Sequence, residues 1–121
     1  MTYVSGFLLP VKTDRKEIYL VAARQSWPLF RDYGALHHVE TWGVAVPDGK
    51  TTDFKRAVKL EDSETVVFSW IVWPDQATSD ACEAAMETDP SWTDIEADME
   101  VSVDGKRMIF GGFDTIFDER A

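Results

Sequence analysis

The chain has 121 residues, 12 basic and 22 acidic, for a formal charge of −10. An apolar content of 45%, with five Trp, seven Phe and three Tyr, excludes a disordered chain and suits one domain over residues 1–121. The single cysteine, Cys82, excludes an intrachain disulfide, and no apolar run reaches the roughly 18 residues of a membrane span, so a cytoplasmic protein without a membrane partner is expected.

Residues 3–11 read as a strand, with Tyr3, Phe7, Leu9 and Val11 on one face and Val4 and Leu8 on the other. Pro10 predicts that the strand stops or loses a partner there. A helix should follow, capped by Asp14 with Glu17 three residues on, its apolar stripe carried by Ile18, Val21, Ala22 and Leu29. Gly34 is its terminator, and Pro28 predicts a kink or a break after Gln25 or Ser26. Residues 36–46 form the second expected strand, followed by a turn at Asp48-Gly49 and a polar stretch to Arg56.

The run TVVFSWIVW at 65–73 is the clearest strand, uncharged and made of strong β-formers. Residues 78–88 should be a short helix closed by Asp89-Pro90, and 91–98 another turn or two capped by Ser91. Asp104-Gly105 marks a turn, and 106–113 is the last strand. The order β-α-β-β-α-β is the split βαβ arrangement of an α+β, ferredoxin-like domain with a four-stranded antiparallel sheet. Two helices cover one face of such a sheet. Yet the third strand is apolar on both: Val67, Ile71 and Trp73 point one way, Val66, Phe68, Trp70 and Val72 the other. Leaving the second set wet is costly, so a homodimer with sheets packed face to face is expected.

Four segments then carry a family resemblance: YVSGFLLPV at 3–11, VPDGKTTDFKRAVKL at 46–60, ETVVFSWIVWPD at 64–75 and DGKRMIFGGFD at 104–114. They resemble the conserved blocks of the DUF1428 family, which is similar to the dimeric α/β-barrel superfamily. The resemblance implies two ferredoxin-like protomers whose sheets close into a barrel, and it carries no activity with it. Superfamily relatives include cofactor-independent monooxygenases, haem-degrading enzymes and lactone isomerases, so fold alone does not fix function.

The chemistry is sparse. His37 and His38 are neighbours on a strand and point to opposite faces. His38 shares its face with Glu40 and Trp42, which makes His38 and Glu40 the candidate acid–base pair beside an aromatic wall; an ordinary polar edge strand is the competing reading. Phe68 and Trp70 are candidate pocket walls, with plain core packing as their alternative, and Arg56 is a candidate clamp for a carboxylate, with a salt bridge as its alternative. No ligand spacing supports a metal, and no cofactor is expected. Cys82 sits among anions, which suits packing rather than nucleophilic attack, and Ser69 lacks a nucleophile elbow. From Asp75 to Glu100 there are nine acidic residues and no basic one, a surface that repels phosphate and predicts no nucleic-acid partner. Two functions fit: a cofactor-independent enzyme of oxygenase or isomerase type on a mostly apolar or aromatic metabolite, or a non-catalytic ligand-binding or dimerisation module.

Overall fold

In the computed structural model, which describes residues 1–121, the strands are β1 (Tyr3–Lys12), β2 (His37–Trp42), β3 (Glu64–Trp73) and β4 (Ile109–Asp114). The helices are α1 (Lys16–Asp32), the one-turn α2 (Phe54–Ala57), α3 (Gln76–Met86) and α4 (Thr93–Ser102). The strands form one antiparallel sheet in the order β2-β3-β1-β4, which is the ferredoxin-like topology. β3 is central because its uncharged, β-branched and aromatic run is the segment best suited to neighbours on both edges. Pro10 does not end β1. The β1–β3 register continues to Lys12 opposite Glu64, whereas the β1–β4 register stops at Leu8 opposite Ile109, so Pro10 lies beyond the reach of β4.

Helix α1 departs from expectation in three ways. Asp14 makes no cap bond; it belongs to a 3-10 turn, Thr13–Arg15, that leads into the helix. Pro28 does not split α1, which runs unbroken to Asp32: the missing N–H falls near the C-terminal end, and tertiary packing outweighs one lost bond. The buried stripe is Tyr19, Ala22 and Ser26, while Val21 is exposed. The helix ends as expected. Gly34, at φ 112°, donates to the Arg31 carbonyl at 2.9 Å and Ala35 donates to that of Phe30 at 3.0 Å, a Schellman motif that needs a residue tolerant of positive φ.

Carboxylates start the later helices. Asp53 accepts from the backbone N–H of Arg56 at 2.7 Å and Asp75 from that of Thr78 at 2.8 Å. Asp89, rather than Ser91, caps the 3-10 turn Pro90–Trp92 that precedes α4. Helices α1, α3 and α4 all lie on one sheet face. There Ala22, Ile71, Trp73, Cys82, Trp92 and Ile95 make one core cluster, and Leu9, Val11, Tyr19, Val67 and Val103 make a second. Trp92 is 1% exposed, and its truncation to Ala would cost about 3–5 kcal/mol. The other face carries Val4, Leu8, Phe68, Trp70, Val72 and Phe113. It stays largely open: Phe68 is 45% exposed and Phe113 60%.

Candidate functional site

A cavity of about 560 Å³ lies between the helix-covered face of the sheet and helices α1, α3 and α4. Its floor is built by strand alternation: Ser5, Phe7 and Leu9 of β1, Ser69 and Ile71 of β3, and His38 and Glu40 of β2 all project to this side. Most of the lining is apolar, so the few polar groups in it stand out.

His38 and Glu40 are joined. Oε2 of Glu40 accepts from Nε2 of His38 at 2.6 Å, and the two side chains are only 9% and 19% exposed. The hydroxyl of Tyr19, from α1, donates to the other carboxylate oxygen, so Glu40 is held from both sides. Burial, then the Glu40 charge, pushes the Tyr19 phenol well above its ordinary value, which keeps it a donor. With its proton on Nε2 held by Glu40, a neutral His38 imidazole has its lone pair on Nδ1, which bonds to no protein atom. Phe30 stands edge-on to the imidazole at 5.5 Å between ring centroids and reaches Trp73 at 6.2 Å and Trp92 at 4.9 Å. The result is an imidazole in an aromatic setting, oriented by a carboxylate that a phenol fixes in turn, which is the geometry that general-base chemistry uses.

The remaining sequence candidates lie elsewhere. Trp42 shares the face of His38 but packs on the second core cluster, under the ammonium of Lys16 at 5.1 Å from its ring centroid. Phe68 and Trp70 occupy the opposite sheet face, 5.3 Å apart between centroids, with Phe54 of α2 against Phe68 at 5.9 Å. They line an apolar groove bounded by β1, β3, β4 and the segment after β4. Arg56 folds onto its own loop: Nε donates to Asp53 at 2.9 Å and Nη1 to the Thr51 carbonyl at 3.2 Å, so it fastens residues 49–56. The Asp53 carboxyl is accordingly lowered to about 2, chiefly by the Arg56 backbone N–H. His37 is exposed on the far face.

Two residues went unassigned by the sequence. Tyr19 recurs with Ala22 and Ser26 at helical spacing, a signal masked by the more apolar Ile18 and Val21 beside it. Ser69, 2% exposed, lies opposite Glu40 in the β2–β3 register and lines the cavity; no local motif could show that pairing. Cys82 is a packing residue, its thiol raised to about 11 by burial and secondarily by Glu83. No three His, Cys, Asp or Glu side chains converge as a metal site would require, and no helix is long and apolar enough to cross a membrane.

This arrangement of sheet and helices is shared with solved structures. A cofactor-independent oxygenase of Streptomyces nogalater, SnoaB, superposes with a TM-score of 0.63 at 14% identity, over 97% of this chain and 95% of that one. A dimeric ferredoxin-like protein of unknown function from a Jannaschia species gives 0.61 at 11% identity, over 95% and 100%. At these identities the likeness shows the fold. In sequence, the uncharacterized protein YbaA of Escherichia coli is 48% identical over 119 residues, spanning 98% of this chain and all of the relative. The model of the family described as "Protein of unknown function (DUF1428)" matches residues 2–105, and the chain belongs to that family.

Proposed function

We propose that the protein is a homodimeric, cofactor-independent enzyme that binds a mostly apolar small molecule in the cavity of each protomer and takes a proton from it with His38. The observation that carries this reading is the 2.6 Å His38–Glu40 pair, nearly buried in an apolar cavity of about 560 Å³, within the roughly 300–1,000 Å³ typical of ligand pockets. Nδ1 of His38 accepts the proton; Glu40 holds Nε2–H and offsets the charge that forms; Tyr19 keeps Glu40 in place. Removing a proton from a carbon or phenol raises the electron density that an isomerisation or a reaction with dioxygen requires. An oxygenase among the structural neighbours supports that direction.

Homodimerisation rests on the open apolar sheet face and on neighbours that are dimeric ferredoxin-like proteins. A purely non-catalytic module has less to support it, because packing alone would not call for a His–Glu–Tyr chain facing a cavity. The test is turnover. Purified protein is incubated in air, in oxygen-free buffer and in D2O with a panel of neutral phenols, quinols and enolisable ketones, and products are read by mass spectrometry. Product formation or solvent deuterium exchange that disappears in His38→Ala is the expected result; exchange that persists in His38→Ala would sink the assignment.

A further inference from the structure

The cavity is walled unevenly in charge. Neither Lys nor Arg borders it, whereas Glu40 sits inside and Glu83 of α3 and Glu96 and Glu100 of α4 line its solvent-facing side. These three glutamates are exposed and form no salt bridge, so no cation on the protein offsets them. They belong to the acidic stretch between Asp75 and Glu100, but their location at this opening gives the charge a direction. An incoming carboxylate or phosphate meets like charge at the rim and then a carboxylate at the floor, in surroundings where apolar walls weaken screening. A second feature concerns hydrogen bonding. His38, which lines the cavity with a side chain only 9% exposed, has an Nδ1 that bonds to no protein atom. A nearly buried acceptor without a partner is unfavourable, and a ligand hydroxyl or other acidic proton would relieve it.

Resting on the reading of this cavity as the substrate site, we infer that the substrate is a neutral or cationic, largely apolar molecule bearing a hydroxyl or another group whose proton His38 can take, and that the Glu83, Glu96 and Glu100 rim excludes carboxylated and phosphorylated molecules. Acyl thioesters of phosphorylated carriers and sugar phosphates fall outside this class; neutral phenols, quinols, ketones and amines fall inside it.

Three probes of one shape separate the terms: 2-naphthol, 2-naphthylmethylammonium and 2-naphthoate, titrated calorimetrically into the full-length protein at pH 7 and low salt. Binding of the first two at least about tenfold tighter than 2-naphthoate is expected, with the difference narrowing at 0.5 M NaCl. In the triple variant Glu83→Gln, Glu96→Gln, Glu100→Gln the preference should fall below about threefold while 2-naphthol binding is kept. The three sites are exposed, and a thermal melt matching the parent verifies the fold. If 2-naphthoate binds the parent as well as 2-naphthol does, or if the preference survives the triple variant, charge exclusion at the rim is wrong while the cavity stands as a binding site. If none of the probes binds, the cavity reading itself is overturned and this inference with it.

Discussion

Phe110 lies directly opposite Phe7 across the β1–β4 ladder, and the pair borders both the His38 cavity and the apolar groove on the far side of the sheet. Phe110 is nevertheless 64% exposed, because β4 is an edge strand with nothing beyond it. A second copy packed over the groove would press on the far side of this pair and steady the cavity wall that it forms. Dimerisation and ligand binding are therefore expected to be coupled. Sedimentation should show a dimer at micromolar concentration, and Phe110→Ser should weaken both self-association and 2-naphthol binding by several-fold. A folded, stable parent monomer at that concentration would refute the assembly.

The paired histidines supply an internal control. His37 faces away from the cavity and His38 faces into it, although one peptide bond separates them. His38→Ala should abolish turnover, and His37→Ala should leave most of it. Glu40→Gln should act like His38→Ala, since the amide can no longer offset an imidazolium. Tyr19→Phe should retain partial activity while losing about 1–3 kcal/mol of stability, because a buried carboxylate oxygen loses its donor. Equal losses in the two histidine variants would assign this strand a structural role.

Much of this site was legible in the chain, and the reason is periodicity. Alternation along β2 puts His38 and Glu40 on one face whatever the fold, and the two-sided β3 implies a sheet with one face unused by the helices. Alternation is silent on which of the two faces the helices take. That is why Phe68 and Trp70 read as candidate pocket walls with no side assigned, and they stand on the opposite side of the sheet from His38. Tyr19 reaches Glu40, and Ser69 comes to lie opposite it, only through tertiary pairing, and no local pattern encodes a contact between a helix and a strand 21 residues away. Arg56 shows the same limit at shorter range: its loop closes on itself through Asp53, so its charge is absorbed within a few residues.

The acidic half of the molecule makes a negative expectation testable. Helices α3 and α4 turn their Asp and Glu side chains largely outward, and no Lys or Arg lies between Asp75 and Glu100. Nucleic-acid binding draws its affinity from phosphate neutralisation, which this surface cannot supply. A gel-shift titration with an RNA hairpin at physiological salt should show no submicromolar complex. Submicromolar binding would contradict it.

Cys82 should be inert. Its side chain is 1% exposed and its thiol is raised to about 11, so at pH 8 little thiolate exists and none is accessible. Ellman's reagent should react only as fast as the protein unfolds. A fast, stoichiometric reaction of the folded protein would show that α3 opens readily.

Arg107 and Glu64 should contribute to the acid limit of stability, beside the capping carboxylates Asp53, Asp75 and Asp89, which are also held below their ordinary range. The guanidinium grips both carboxylate oxygens, at 2.7 and 2.5 Å, while donating to Asp104 at 2.9 Å and to the Lys59 carbonyl at 3.0 Å. One side chain thus ties the start of β3, the loop before it and the turn before β4. The Arg107 hydrogen bonds are the first cause of a Glu64 carboxyl held below its ordinary 4.5, outweighing the opposing effect of burial. A depressed carboxylate binds fewer protons folded than unfolded. Its stabilisation is therefore complete above about pH 4.5 and is lost as the pH falls through the folded value. Asp104 is lowered by the same guanidinium and adds to the trend. Thermal melts should be flat from pH 7 to 5 and drop below pH 4.5. Glu64→Gln should make that acid limb shallower while lowering the melting temperature at pH 7. Arg107→Met should be worse, by about 2–4 kcal/mol, because it strands a Glu64 side chain that is only 4% exposed. If Glu64→Gln keeps the full acid drop of the parent, the titrating group lies elsewhere in the fold.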